Sequence, residues 1–217
     1  MRLKGGIQPE TMTMIYGEPE TGKTTLTIQC AVSCALQGLK TLFVDCDHTF
    51  ATERLSQVSR ADFDKVAEQI ILMRPNTFAE QTVIIDNLSD YVSKSFGLVV
   101  MDTFNSLYRV QLAETATKAS FALNRELNRL MASLAQAAKT QHIPIVVTSQ
   151  VKSIINENFV SVAPVATRVL QFWADNIIAL KPTELHQIVQ AVLEKDRNPQ
   201  EAICYLRITQ NGIHDAQ

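Results

Sequence analysis

Residues 17 to 24 read Gly-Glu-Pro-Glu-Thr-Gly-Lys-Thr, a complete G-x-x-x-x-G-K-[ST] loop. Two glycines let the backbone curl so that successive N–H groups turn inward on phosphate oxygens. Lys23 adds a cation for the β/γ-phosphates, and the Thr24 hydroxyl is a ligand for Mg²⁺. The flanks suit the motif. Thr11–Tyr16 is β-prone, and Thr25–Leu36 is helix-like, ending at Gln37-Gly38. Strand, loop and helix N-terminus together make an anion site through the helix dipole and the free N–H groups. A Gly-Lys turn that merely caps a helix is the bland alternative, and it leaves the matching flanks unexplained. Gly17, Glu18, Pro19, Glu20, Thr21, Gly22, Lys23, Thr24 and Thr25 are the candidate nucleotide contacts. ATP and Mg²⁺ are the expected ligands.

With 217 residues the chain can bury a sizeable α/β core, and 46% hydrophobic against 19% charged residues marks it as globular. No apolar run reaches membrane-spanning length, so no membrane role is expected. No signal-peptide pattern opens the sequence, and Cys30, Cys34, Cys46 and Cys204 have no C-x-x-C spacing. The cytoplasm is the expected compartment. The net charge of −2 lacks the basic footprint of an autonomous DNA binder.

Apolar β-prone runs alternate with amphipathic segments. Strands are expected at Lys40–Cys46, Ile70–Met73, Leu98–Met101 and Ile143–Thr148, and helices at Phe50–Val58, Phe78–Ser93 and Ser120–Thr140. This alternation predicts an α/β fold with a mainly parallel sheet flanked by helices. Asn176–Leu180, Gln187–Leu193 and Ala202–Thr209 follow as strands without intervening helices, which predicts an antiparallel C-terminal extension. No repeat or linker interrupts the chain, so residues 1–217 are read as one domain. Lys4–Ile7 looks like the tail of a longer lead-in.

Other candidate site residues stand at strand ends. Leu98–Met101 runs into Asp102, where a carboxylate at the sheet's C-terminal edge can hold Mg²⁺ beside Thr24. Leu42–Val44 runs into Asp45 and Asp47, either of which could activate a water. Gln150, after Ile143–Thr148, is either a γ-phosphate sensor or a loop-starting glutamine. Lys195 and Arg197 leave a strand on the same face, as surface charges or as cations reaching a neighbour's phosphates.

Taken together, these segments resemble the RecA-like recombinase ATPases over nearly the whole chain. The resemblance is carried by Gly5–Pro9 leading to Gly17, by Val44–Phe50 with Glu53–Leu55, and by Leu98–Asp102 with Leu107–Arg109. Ile145–Val151, Ala191–Arg197 and Tyr205–Thr209 with Gly212-Ile213 continue it in family order. The C-terminal segments look like a short paralogue branch of the family. The resemblance implies that Arg54 stacks on adenine. It also implies that Asp47 is the water-activating base, that Gln150 senses the γ-phosphate, and that Lys195 and Arg197 reach a neighbouring subunit's nucleotide.

Departures from the family pattern matter as much. Asp47 stands where the family usually has glutamate, so its carboxylate retreats by about 1.5 Å. His48 stands where glycine is usual. The first DNA-loop region, 111–118, holds one basic residue, Lys118. The second, 152–168, holds only Lys152 and Arg168. The family's helix-hairpin-helix domain is not expected ahead of the core. The implied function is a weakly hydrolysing recombination paralogue, a mediator or regulator of a full-length RadA-type recombinase. Single-stranded DNA should bind weakly through Arg109, Lys152 and Arg168, with self-association open. A hexameric ATPase motor and a nucleotide-gated protein-interaction module are the alternatives.

Overall fold

The computed structural model describes residues 6–115, 120–150, 165–195 and 202–216. In chain order the elements are β1 (Met12–Gly17), α1 (Lys23–Leu36), β2 (Lys40–Asp45), α2 (Thr52–Ser59), a 3₁₀ turn (Arg60–Asp62), α3 (Phe63–Ala67) and β3 (Ile70–Met73). There follow α4 (Phe78–Asp86), α5 (Leu88–Tyr91), β4 (Phe96–Asp102), α6 (Ser106–Glu114), α7 (Ser120–Thr140) and β5 (Ile145–Gln150). The chain closes with α8 (Val165–Trp173), β6 (Asn176–Pro182), β7 (Ile188–Lys195), β8 (Ala202–Thr209) and β9 (Gly212–Asp215).

The strands form one sheet in the order β3-β2-β4-β5-β1-β6-β7-β8-β9. Neighbours from β3 to β6 are parallel, and those from β6 to β9 are antiparallel. Both the parallel core and the antiparallel extension therefore appear as expected. Burial on both faces explains why the central strands read as unbroken apolar runs rather than alternating ones. One face packs Met12, Met14, Leu42, Val99 and Ile145 against Leu127, Leu130, Met131 and Leu134 of α7. The other packs Ile15, Phe43, Val100 and Val146 against Ile28, Ala31, Val32 and Ala35 of α1.

Parallel register brings the chemistry-bearing strand ends to one edge. Gly17 lies opposite Gln150, and Asp45 opposite Asp102. The helix expected at Phe78–Ser93 is divided at Asn87 into α4 and α5. The Asn87 side-chain amide donates to the Val83 carbonyl at 2.8 Å, a local bond that competes with helix continuation.

Candidate functional site

The phosphate loop joins β1 to α1, and its glycines stand where a side chain would not fit. A Cβ on Gly17 would lie 2.3 Å from the Leu180 carbonyl oxygen of β6. Gly22 has φ +85°, and its Cβ would lie 2.9 Å from Ile208 Cδ1 of β8. The left-handed backbone favours glycine there, and the contact with the end of the Ile208 side chain adds to it. No side chain caps the N-terminus of α1, so its N–H groups remain directed at the loop.

Lys23 is buried, and its Nζ donates to the carbonyls of Gly17 (3.1 Å) and Glu18 (2.6 Å). These bonds hold the ammonium across the mouth of the loop. Burial pushes its pKa down, while the fields of Asp102 and Asp47 oppose the shift. Asp47, on the exposed turn after β2, thus acts electrostatically on the same centre as Lys23 and Asp102.

Asp102 is 1% exposed. Its Oδ1 accepts from the Thr148 hydroxyl. Its Oδ2 is buried with no hydrogen-bond partner among the described residues. Burial pushes the Asp102 pKa up, and the Thr148 hydrogen bond and the nearby Thr24 hydroxyl pull it back. An orphaned buried carboxylate oxygen beside a threonine hydroxyl is a donor set that fits a hard divalent cation. Thr148, which orients this carboxylate, carries no sequence signal that sets it apart from an ordinary strand threonine.

The two carboxylates at the end of β2 separate by environment. Asp45 is fully buried and accepts from the N–H groups of Thr49 (2.9 Å) and Phe50 (3.0 Å). Arg74 donates to it at 3.1 Å and to the Phe50 carbonyl at 2.7 Å. Asp45 therefore clamps the turn, whereas exposed Asp47 makes no comparable bond among the described residues. His48, inside that turn, has φ +56°, and its Nε2 lies 3.1 Å from the Pro75 carbonyl oxygen. This is the left-handed region that glycine occupies without steric cost, which explains glycine at the corresponding family position.

Arg54 projects from α2 with its in-plane donors engaged. Nε donates to Thr25 Oγ1 (3.2 Å), one terminal nitrogen to Gln57 Oε1 (3.0 Å) and the Gln210 carbonyl (2.7 Å), and the other to the Thr209 carbonyl (2.8 Å). These bonds use the edge of the guanidinium, so its plane is fixed without using its faces. The β8–β9 turn thereby becomes part of the site, and nothing in the sequence pattern links it to Arg54. A large cavity of about 1020 Å³ lies elsewhere. It opens between α1 and the N-terminal ends of the parallel strands, near Leu39, Phe96 and Pro144, away from the phosphate loop.

The remaining candidates are dispersed. Gln150 is half-buried beside Gly17. Lys195 Nζ donates to the carbonyls of Ala174 (2.5 Å) and Gln171 (3.4 Å), capping the C-terminal end of α8. Arg109 on α6 and Arg168 on α8 are exposed. Lys118, Lys152 and Arg197 lie outside the described residues.

A phosphate loop at the C-terminal edge of a parallel sheet, with a buried Asp at the end of β4 one strand removed across β5, is the arrangement of a RecA-like core. The chain belongs to the Rad51 family, whose pattern it matches over residues 1–216. It is 32% identical over 212 residues to the DNA repair and recombination protein RadB of Methanococcus maripaludis strain C5, covering 97% of this chain and 94% of the relative. It is 34% identical over 217 residues to the same-named protein of Thermococcus onnurineus, with 98% and 92% covered. Among solved structures it resembles the crystal structure of the RadB recombinase, with a TM-score of 0.81 and 31% identity, over 98% of this chain and 93% of that one.

Proposed function

We propose that this chain is an ATP- and Mg²⁺-binding, slowly hydrolysing recombinase paralogue that assists a full-length RadA-type recombinase in homologous recombination and DNA repair. The observation that carries this reading is an intact phosphate and cation site beside a shortened water-activating group. Residues 1–217 act as one ATPase core in the cytoplasm. Relatives named as DNA repair and recombination proteins support the process. The low charge and few cations near 111–118 and 152–168 support an accessory rather than an autonomous strand-exchange role.

In this reading the 17–25 segment wraps the triphosphate, and Lys23 balances charge on the β/γ-phosphates. Thr24 and Asp102 hold Mg²⁺, which when bound neutralises charge developing on the transferred phosphoryl group. Gln150, beside Gly17, contacts the γ-phosphate. Asp47 accepts a proton from the attacking water. Lys195 and Arg197 serve a neighbouring copy's phosphates, a role for which Lys195 must leave the end of α8. Arg109, Lys152 and Arg168 give weak single-strand DNA binding. The reading is tested by capture of the host RadA-type recombinase on this chain with and without ATP. Nucleotide-dependent capture is expected, and equal absence of capture in both conditions overturns the mediator role.

Arg54 presents a fixed plane for adenine. Arg54→Ala should weaken ATP by about 1 kcal/mol, roughly fivefold, and leave inorganic triphosphate unaffected. Arg54→Lys should not restore affinity, because an ammonium has no planar face. Calorimetry with both ligands checks this, and equal losses for both would move Arg54 onto the phosphates.

Asp102 couples stability to the cation. Its folded pKa is raised above its unfolded value. The nucleotide-free protein therefore gains stability as pH falls through that window and loses it as pH rises through the folded pKa. Asp102→Asn should flatten this dependence and remove the Mg²⁺ requirement of ATP binding. Thermal melts across pH, with and without ATP and Mg²⁺, read both effects. A wild-type pH profile in the variant would relocate the cation site.

A further inference from the structure

Phe121 and Phe172 are the most exposed large apolar side chains among the described residues, at 74% and 73%. Each has an exposed arginine one helical turn away: Arg125 follows Phe121 on α7, and Arg168 precedes Phe172 on α8. At i,i+4 spacing each ring shares a helix face with its guanidinium. Neither arginine makes an ion pair among the described residues, whereas Arg129, the next turn of α7, is tied to Asp86 and Glu126. Both arginines are thus without an ion pair among the described residues where a neighbouring arginine is tied down, and the Phe172 ring meets Trp173 edge to face with centroids 5.2 Å apart.

The two helices align these pairs. Each precedes a strand of the parallel block, so both run from the C-terminal to the N-terminal edge of the sheet. Trp173 Nε1 donates to Asn128 Oδ1 at 2.9 Å, which sets their relative height. Phe121 lies seven residues before Asn128, two turns up the same stripe, about 10.5 Å away. Arg125 lies three residues before Asn128 and Arg168 five before Trp173, so the two arginines share nearly the same level. Phe121 stands above them and Phe172 below, separated along the axis by about 9 Å. With an interaxial distance of about 8–10 Å between packed helices, the rings stand about 12–13 Å apart, roughly three to four nucleotide steps at about 3.4 Å each.

We propose that the outer face of α7 and α8 is a single-stranded nucleic-acid platform, with Phe121 and Phe172 stacking on bases and Arg125 and Arg168 holding the intervening phosphates. The proposal rests on the DNA-binding reading above and deepens it. Unpaired bases expose π faces to such rings, whereas a duplex hides them. Trp173 packs against Phe172, but Asn124, Asn128 and Gln171 lie between it and Phe121, so polar groups interrupt the apolar surface that a protein partner would cover. Local cations are needed here because the net charge of −2 supplies no general attraction for a polyanion.

The test is fluorescence anisotropy of the full chain with oligo-dT and with a blunt duplex across salt concentrations. Phe121→Ala and Phe172→Ala should each weaken oligo-dT about tenfold without changing the salt slope, and tyrosine at either position should restore binding. Arg125→Ala and Arg168→Ala should each lower the slope by about 0.7. The alanine variants of the phenylalanines should also erase the preference for oligo-dT over duplex. Wild-type affinity in both the Phe121→Ala and the Phe172→Ala variants overturns the platform and leaves the DNA reading standing. Absence of any oligo-dT binding by the wild-type chain at low salt overturns both. Phenylalanine variants that change sedimentation or recombinase capture, with oligo-dT affinity intact, make this face a protein interface and overturn the proposal.

Discussion

Lys23→Ala should abolish measurable ATP binding while the protein stays folded. A unit charge about 4 Å from a phosphate oxygen is worth about 4 kcal/mol at an effective dielectric of 20, roughly a thousandfold in affinity. Without ligand, Lys23 donates to the Gly17 and Glu18 carbonyls, and these bonds are what the fold would lose. Against that loss stands the cost of keeping the ammonium buried, the cost that pushes its pKa down. The opposing contributions leave stability nearly unchanged. Affinity suffers almost the whole effect, because the loop's N–H groups alone do not balance a triphosphate. Calorimetry measures the affinity and a thermal melt the fold. Unchanged ATP affinity would remove the nucleotide from this loop, and a collapsed melt would make Lys23 a core residue first.

Legibility followed chain proximity. The phosphate loop was readable because its glycines, lysine and threonine are contiguous and their flanks are strong. Asp102 was readable because a four-residue apolar strand points at it. Asp45 and Asp47 were not separable, since the distinction depends on Arg74, 29 residues from Asp45 and joined to it only by folding. The edge-bound posture of Arg54 depends on a turn 155 residues away. Lys195 reads as a surface charge or as a cation for a neighbour's phosphates, and its bonds to the end of α8 join it to residues 21 and 24 positions away. α8 has no counterpart among the expected elements, because its first turn lies inside 152–168, the stretch read as a DNA loop. α6 buries only Tyr108 and carries no clean apolar stripe. β9 has four residues, half of them exposed, too short for alternation to register. Asn87 divides a helix whose apolar pattern continues through it.

Asp47→Glu should raise ATP turnover without tightening ATP binding. Lys23, Thr24 and Asp102 stand together, so ground-state binding has its full set of groups. The change is confined to the base. Asp45 cannot substitute for it, because Asp45 is buried and committed to Thr49, Phe50 and Arg74. Loss of a positioned base costs about 10²–10⁴ in rate, and a misplacement of about 1 Å costs on the order of a hundredfold. Recovery of one methylene should therefore yield a ten- to hundredfold gain in kcat with KM nearly constant. His48 limits the gain, since its left-handed backbone and its contact with Pro75 fix the turn in one posture. Asp47→Glu with His48→Gly should exceed Asp47→Glu alone. Steady-state turnover, paired with calorimetric affinity, separates the two effects. If both variants turn over at the wild-type rate, Asp47 is not the base. The deficit then lies in cations supplied by a second copy, and release of Lys195 from the Ala174 carbonyl becomes the step that limits hydrolysis.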